Sequence, residues 1–287
     1  MDPRVIRLYD DYVHGRMPRR DFVRRLAGIA GGAAAASALL PLIEPNYAQA
    51  RQVPDDDPRL HVERITYPGS SGPVRGYLAR PANATGALPG VLVVHENRGL
   101  NAHIEDVARR AALAGYVALA PDGLSVAGGA PTDQEQARDL FAATDRAIID
   151  ADVIAGVPYL AGRDDCTGKV GTVGFCYGGG IALRCAAEHP QVGAAVCFYG
   201  SALADDQVAG VRAPLAMHYA GDDPRINAGI PDFLASLDRH GIAYSLHMYP
   251  GTGHGFHNDA SAARYRPDAA RLAWQRTIAL FESALAA

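Results

Sequence analysis

A chain of 287 residues, 48% of them hydrophobic, can bury a full core in one large α/β domain without disulfides or metals. A formal net charge of −4 and no long basic stretch in the body exclude nucleic-acid binding as a main role. The four cysteines, at 166, 176, 185 and 197, form no Cys-x-x-Cys pair, which argues against zinc-ribbon and thioredoxin-type sites. Cys185 and Cys197 lie in apolar runs and read as buried core.

The chain opens with Arg19-Arg20-Asp21-Phe22-Val23-Arg24, then a stretch without charge from Leu26 to Ile43, then Ala48-Gln49-Ala50. That layout is a twin-arginine (Tat-type) export signal, departing from the usual pattern at Pro18 and Val23. Residues 1–50 are therefore expected to be an export segment. The Tat machinery would be the precursor's partner, and the mature protein periplasmic or secreted. The alternative is a retained N-terminal helix, packed on the domain of a cytoplasmic protein or anchored in a membrane. Residues 51–59, polar and proline-rich, read as a linker. The rest, 60–287, reads as one domain.

Within that domain, residues 61–69 and 74–82 predict two strands joined by a Gly/Ser turn. Residues 86–96 predict a strand buried on both faces, 103–116 a helix and 117–123 another buried strand. Residues 134–163 predict one long helix, 169–175 a strand and 178–190 a helix. Strands follow at 192–200, 214–221 and 243–251, with a helix between the last two at 231–241, bounded by Pro231 and Gly241. A helix over 267–286 closes the chain; its apolar spacing suits core packing, and the oligomeric state is not legible. Buried strands alternating with helices predict an α/β fold: a mostly parallel twisted sheet, helices on both faces and an antiparallel N-terminal hairpin.

In such a sheet, chemistry collects at the C-terminal ends of strands. Gly174-Phe175-Cys176-Tyr177-Gly178 has the spacing of a nucleophile elbow, with cysteine at the tip. A helix N-terminus beneath the sulfur would favour thiolate. The N–H of Tyr177 and that of Asn97, in the loop after the strand ending at Glu96, would hold an oxyanion. A base and an orienting acid follow in the order of the α/β-hydrolases: Asp222 or Asp223, then His254. Asp223 is preferred because an apolar residue, Ile226, comes three positions later. His254 is preferred over His257 because His257 lies further out along the loop.

Four segments together, Val91–Leu100, Gly174–Gly180, Tyr219–Asn227 and Tyr249–Asp259, resemble the dienelactone hydrolase family (carboxymethylenebutenolidase-like), a cysteine branch of the α/β-hydrolases. The resemblance runs from about residue 60 to the C-terminus. It implies Cys176 as nucleophile, His254 as base and Asp223 as orienting acid. It also implies that Glu96 is an additional carboxylate that contacts the resting thiol. Family members acting on dienelactone hold the substrate carboxylate with arginines, one just beyond the histidine. Here no arginine follows His254 before Arg264, and Arg98 is the substitute on offer, which argues against dienelactone itself.

The expected activity is hydrolysis of a small-molecule ester or lactone through an acyl-thioester on Cys176, with no metal and no organic cofactor. Alternatives are an acyltransferase or thioesterase with the same triad, and an exported ligand-binding module without turnover. A thiol redox role would need a disulfide from Cys176 to Cys166 or Cys185.

Overall fold

The computed structural model describes residues 2–45 and 51–286. The Ala48-Gln49-Ala50 stretch lies outside the described residues. Three helices come first: α1 (Pro3–Val13), α2 (Arg19–Ala30) and α3 (Ala33–Ile43). Asp2 starts α1 by accepting the Arg4 N–H at 2.8 Å. Gly31, at φ 84°, ends α2 in the left-handed conformation that glycine adopts without strain. Between α2 and α3 the chain bends by 109°, so no single helix among the described residues is long and apolar enough to cross a membrane. The apolar faces of the three helices meet in a small core that includes Tyr9, Phe22, Leu26, Ala36 and Ile43.

The body contains β1 (Leu60–Pro68), β2 (Pro73–Pro81), β3 (Leu88–Val94), α4 (Ala102–Leu113) and β4 (Val117–Pro121). Then come α5 (Gln134–Ala143), α6 (Arg146–Ile154), α7 (Gly156–Ala161), β5 (Cys166–Phe175), α8 (Tyr177–Glu188) and β6 (Val192–Phe198). The last part holds α9 (Asp205–Val208), β7 (Leu215–Ala220), α10 (Pro224–Asn227), α11 (Ile230–Arg239), β8 (Tyr244–Tyr249) and α12 (Pro267–Leu285). Eight strands form one sheet in the order β1-β2-β4-β3-β5-β6-β7-β8. β2 runs antiparallel to both β1 and β4, and every other pairing is parallel.

The period of two along β3 shows why the sheet needs cover on both sides. Leu92 and Val94 enter one apolar cluster, Val91 and Val93 the other, and all four are fully buried. One expectation is corrected. The segment 134–163 is three helices, not one. Thr144 is extended, and Asp145 caps a fresh start by accepting the Ala147 N–H at 2.9 Å. The apolar spacing continues across this break, so periodicity alone does not register it.

The N-terminal helices sit on the body through named contacts. Asn97 Nδ2 donates to Val13 O at 2.8 Å, and Tyr12 Oη donates to Glu135 at 2.6 Å. The Arg138 guanidinium lies 4.2 Å over the Tyr12 ring, and that of Arg264 lies 5.3 Å over Tyr9. Asn97 follows β3, so the end of α1 reaches the C-terminal edge of the sheet.

Candidate active site

Cys176 is the single residue between β5 and α8, held at φ 56° and ψ −114°. A non-glycine residue at positive φ stores strain, which the surroundings must hold in place. Two glycines make the turn possible. A Cβ on Gly174 would lie 1.8 Å from Gly178 O, and one on Gly178 would lie 2.4 Å from Val94 O. Backbone cannot yield to either, so the Gly-x-Cys-x-Gly spacing is a steric requirement.

Asp223 follows β7, where its carboxylate caps α10 by accepting the Ile226 N–H at 3.3 Å. His254 sits in the loop after β8. The two loops are tied by backbone bonds, Gly221 N–H to Tyr249 O at 2.8 Å and Asp222 N–H to Thr252 O at 2.9 Å. This alignment leaves His254 Nδ1 2.6 Å from Asp223 Oδ2, both residues buried. Of the two candidate acids, Asp222 is exposed and Asp223 faces the histidine. His257 lies buried among aromatic rings, 4.8 Å from Phe175 and 4.9 Å from Phe198, and burial holds its imidazole well below its usual range. It is a core side chain.

A second histidine, absent from the sequence reading, completes the cluster. His14, just past α1, places Nε2 3.4 Å from Cys176 Sγ. Its Nδ1 lies 2.7 Å from Asp10 O and 3.3 Å from Asp10 Oδ1. One ring nitrogen of each histidine and Cys176 Sγ all fall within 4.8 Å of one another. Among the described residues this is the one group of three or more such side chains close enough to share a metal ion. Arg225 is also present, its Nη2 3.3 Å from His14 Nε2 and 3.2 Å from His254 Nδ1.

The partners decide where protons sit. The Asp223 carboxylate faces His254 Nδ1 at 2.6 Å, closer than the Arg225 guanidinium at 3.2 Å, and a carbonyl oxygen faces His14 Nδ1 at 2.7 Å; both oxygens only accept. Each Nδ1 therefore carries hydrogen, leaving each Nε2 as the atom that exchanges a proton. Burial alone would push the Cys176 thiol up. The charge of His254, with the hydrogen bond and charge of His14, outweighs it and brings the thiol down to about 6. Burial opposes charge on His254 as well, but the thiolate and Asp223 raise it to about 10. Between those limits the surrounding charges favour thiolate on Cys176 and imidazolium on His254.

The other expected residues fall in different places. Glu96 is buried but does not hydrogen-bond the thiol. Its Oε2 accepts from Asn258 Nδ2 at 2.7 Å, while His14 Nε2 lies at hydrogen-bond distance from the thiol, 3.4 Å. Burial opposes its charge, but Arg264, His103 and Arg98 keep the Glu96 carboxyl below its usual range. Arg98 is likewise buried, directed at Gln134 O and Tyr9 Oη under the N-terminal helices, rather than lining the cavity at Cys176. Asn97 and Tyr177 do line that cavity, and Tyr177, as the first residue of α8, has no partner for its N–H within the helix. The cavity has a volume of about 820 Å³ and also takes in Val13, Met17, Tyr199 and Arg225. All four cysteines are free; burial raises Cys197 to about 12 and pushes Cys185 up further still.

Sequence reasoning missed His14, Asp10 and Arg225. The only trace of the first two is an Asp-x-x-x-His spacing at the end of an amphipathic helix, which many surface helices carry. Arg225 stands two places after Asp223 and could have been weighed there.

The family model for the dienelactone hydrolase family matches residues 74–285, and a separate model described as YqhI-like matches residues 1–32. The chain is 58% identical over 107 residues to a hydrolase fragment, YghX, of Escherichia coli K12, covering 37% of this chain and 92% of the fragment. It is 31% identical over 261 residues to a carboxymethylenebutenolidase-like protein of the same organism, covering 86% of this chain and 95% of that protein. A crystal structure of a dienelactone hydrolase-like protein from Klebsiella pneumoniae superposes with a TM-score of 0.69 at 29% identity, over 77% of this chain and 98% of that one. With its eight-stranded α/β-hydrolase sheet, the chain belongs to the dienelactone hydrolase family and is a hydrolase of that type.

Proposed function

We propose that this hydrolase cleaves a small-molecule carboxylic ester or lactone by covalent catalysis at Cys176. The observation that carries the reading is the 2.6 Å bond from His254 Nδ1 to Asp223, beside a cysteine on a strand-to-helix turn at the wall of a cavity. The Cys176 thiolate attacks the carbonyl carbon, forming the C–S bond, and the carbonyl electrons move to oxygen. The N–H groups of Tyr177 and Asn97 hold that oxyanion. Collapse breaks the C–O bond, and the leaving alkoxide takes the proton from His254 Nε2. Neutral His254 then takes a proton from water, which attacks the thioester, and the thiolate leaves. Asp223 keeps the imidazole in the tautomer this sequence needs. A cavity of about 820 Å³ suits a small substrate.

The test is a burst assay on the full chain with a p-nitrophenyl ester, run beside Cys176→Ala and beside protein alkylated beforehand. A burst of nitrophenol, lost in both controls, is expected. Unchanged hydrolysis in Cys176→Ala overturns the mechanism. A burst followed by transfer to an added alcohol or amine, in preference to water, points to an acyltransferase.

A further inference from the structure

Residues 2–45 lie outside the stretch that matches the dienelactone hydrolase family model, residues 74–285, yet they reach Cys176. Asp10 and His14 repeat the arrangement of Asp223 and His254. In each, Nδ1 faces an aspartate: His254 Nδ1 is hydrogen-bonded to the Asp223 carboxylate, whereas His14 Nδ1 is hydrogen-bonded to the backbone O of Asp10, whose carboxylate lies at ion-pair distance, 3.3 Å. His14 Nε2 then reaches Cys176 Sγ at 3.4 Å. The two rings meet edge to face, with centroids 4.8 Å apart and planes at 88°. The placement is braced. Asn97 holds Val13 O at 2.8 Å, and Phe22 stacks on Tyr12 at 4.5 Å and 9°.

We propose that the N-terminal segment is a working part of the active site, delivering Asp10–His14 as a second imidazole pair that holds Cys176 as the thiolate. The inference deepens the function proposed above and rests on Cys176 being its nucleophile. The proton balance is simple. The thiol's proton goes to His254 Nε2; His14 Nε2 takes a second proton, from water, and its N–H then donates to the thiolate sulfur. Burial and the charge of His254 oppose charge on His14, and the Arg225 guanidinium faces its Nε2 at 3.3 Å, but Asp10 and the thiolate outweigh them and raise it above its usual value, which supports this direction. Val13 and Met17 of the same segment line the cavity, so it also walls the substrate space. Removing residues 1–50 would strip both the second histidine and that wall.

The test reads the thiol without requiring turnover. The rate of iodoacetamide alkylation at Cys176 is followed by peptide mass spectrometry from pH 4 to 10, in the full chain and in His14→Phe, His14→Gln and Asp10→Asn. The wild-type midpoint is expected near 6. His14→Phe should raise it by about one unit, so that at pH 6 the rate falls by about fivefold, since one unit is tenfold in the proton equilibrium. Asp10→Asn should shift it the same way by less. If His14→Phe does not fold, His14→Gln carries the test. Midpoints that coincide with wild type in folded variants overturn the inference. So does an intact mass showing that the protein from its native cells lacks residues 1–50. A shifted midpoint in a protein that turns over no ester would refute the hydrolytic reading and keep only the hold of His14 on the Cys176 thiolate; turnover with coincident midpoints would keep the hydrolysis and overturn the role of the N-terminal segment.

Discussion

Replacing Asp223 by Asn tests the proposed proton route at one atom. Asp223 Oδ1 accepts the Ile226 N–H at 3.3 Å, and Oδ2 lies 2.6 Å from His254 Nδ1. An asparagine must keep its oxygen toward Ile226, because that N–H only donates. Its NH₂ then faces His254 and requires Nδ1 to accept, which moves the imidazole hydrogen to Nε2. Such a ring cannot take a proton at the atom facing the site. The comparable change in a serine protease triad costs roughly 10⁴ in kcat, which is about 5 kcal/mol of barrier. The expected result for Asp223→Asn is a kcat on p-nitrophenyl esters lower by about 10³ to 10⁴, with KM changed by less than about threefold, and no resolved burst. Circular dichroism should match wild type, because the cap on α10 is kept. A kcat within about tenfold of wild type, in folded protein, would refute the tautomer argument.

Other consequences are equally direct. kcat/KM should rise as pH passes about 6, where Cys176 loses its proton, and fall near about 10, where His254 loses the proton owed to the leaving group; a rising limb at 8 to 9 instead would count against the resting ion pair. His257→Phe, in a pocket already made by Phe175 and Phe198, should keep kcat within about tenfold, whereas His254→Asn should lose at least about 10³; equal losses would reopen the choice between them. Gly178→Ala drives a Cβ to 2.4 Å from Val94 O and 2.5 Å from His95 O, so thermal unfolding should show a destabilisation at or above the usual overpacking range of about 1–3 kcal/mol. A melting curve like that of wild type would mean that the elbow is not sterically locked.

Local rules carried most of the fold. A continuous apolar run needs cover on two faces wherever it occurs, so the buried strands were legible one at a time, and their alternation with helices fixed the sheet. The elbow was legible from its Gly-x-Cys-x-Gly spacing, because the need for Gly174 arises within five residues; the need for Gly178, pressed on Val94 and His95, is set by the neighbouring strand. Those rules failed at Thr144-Asp145, where an apolar spacing that continues across a break hides the helix end. The preference for Asp223 came from Ile226, again a local relation, and the structure shows that residue's N–H on the carboxylate.

Side-chain orientation in a shared cavity is set by neighbours far along the chain, and there only tertiary structure could speak. Glu96 turns to Asn258, 162 residues away, and His14 meets Cys176 at the same separation. Nothing within either stretch encodes the meeting. The N-terminal segment makes the point most plainly. An Ala/Gly-rich apolar stretch behind paired arginines has one composition whether it serves as an export signal or as packed helices. Burial of Phe22, Leu26, Ala36 and Ile43 against α1 and one another is a property of three-dimensional neighbours, and it is this packing that brings the end of α1 to the sulfur.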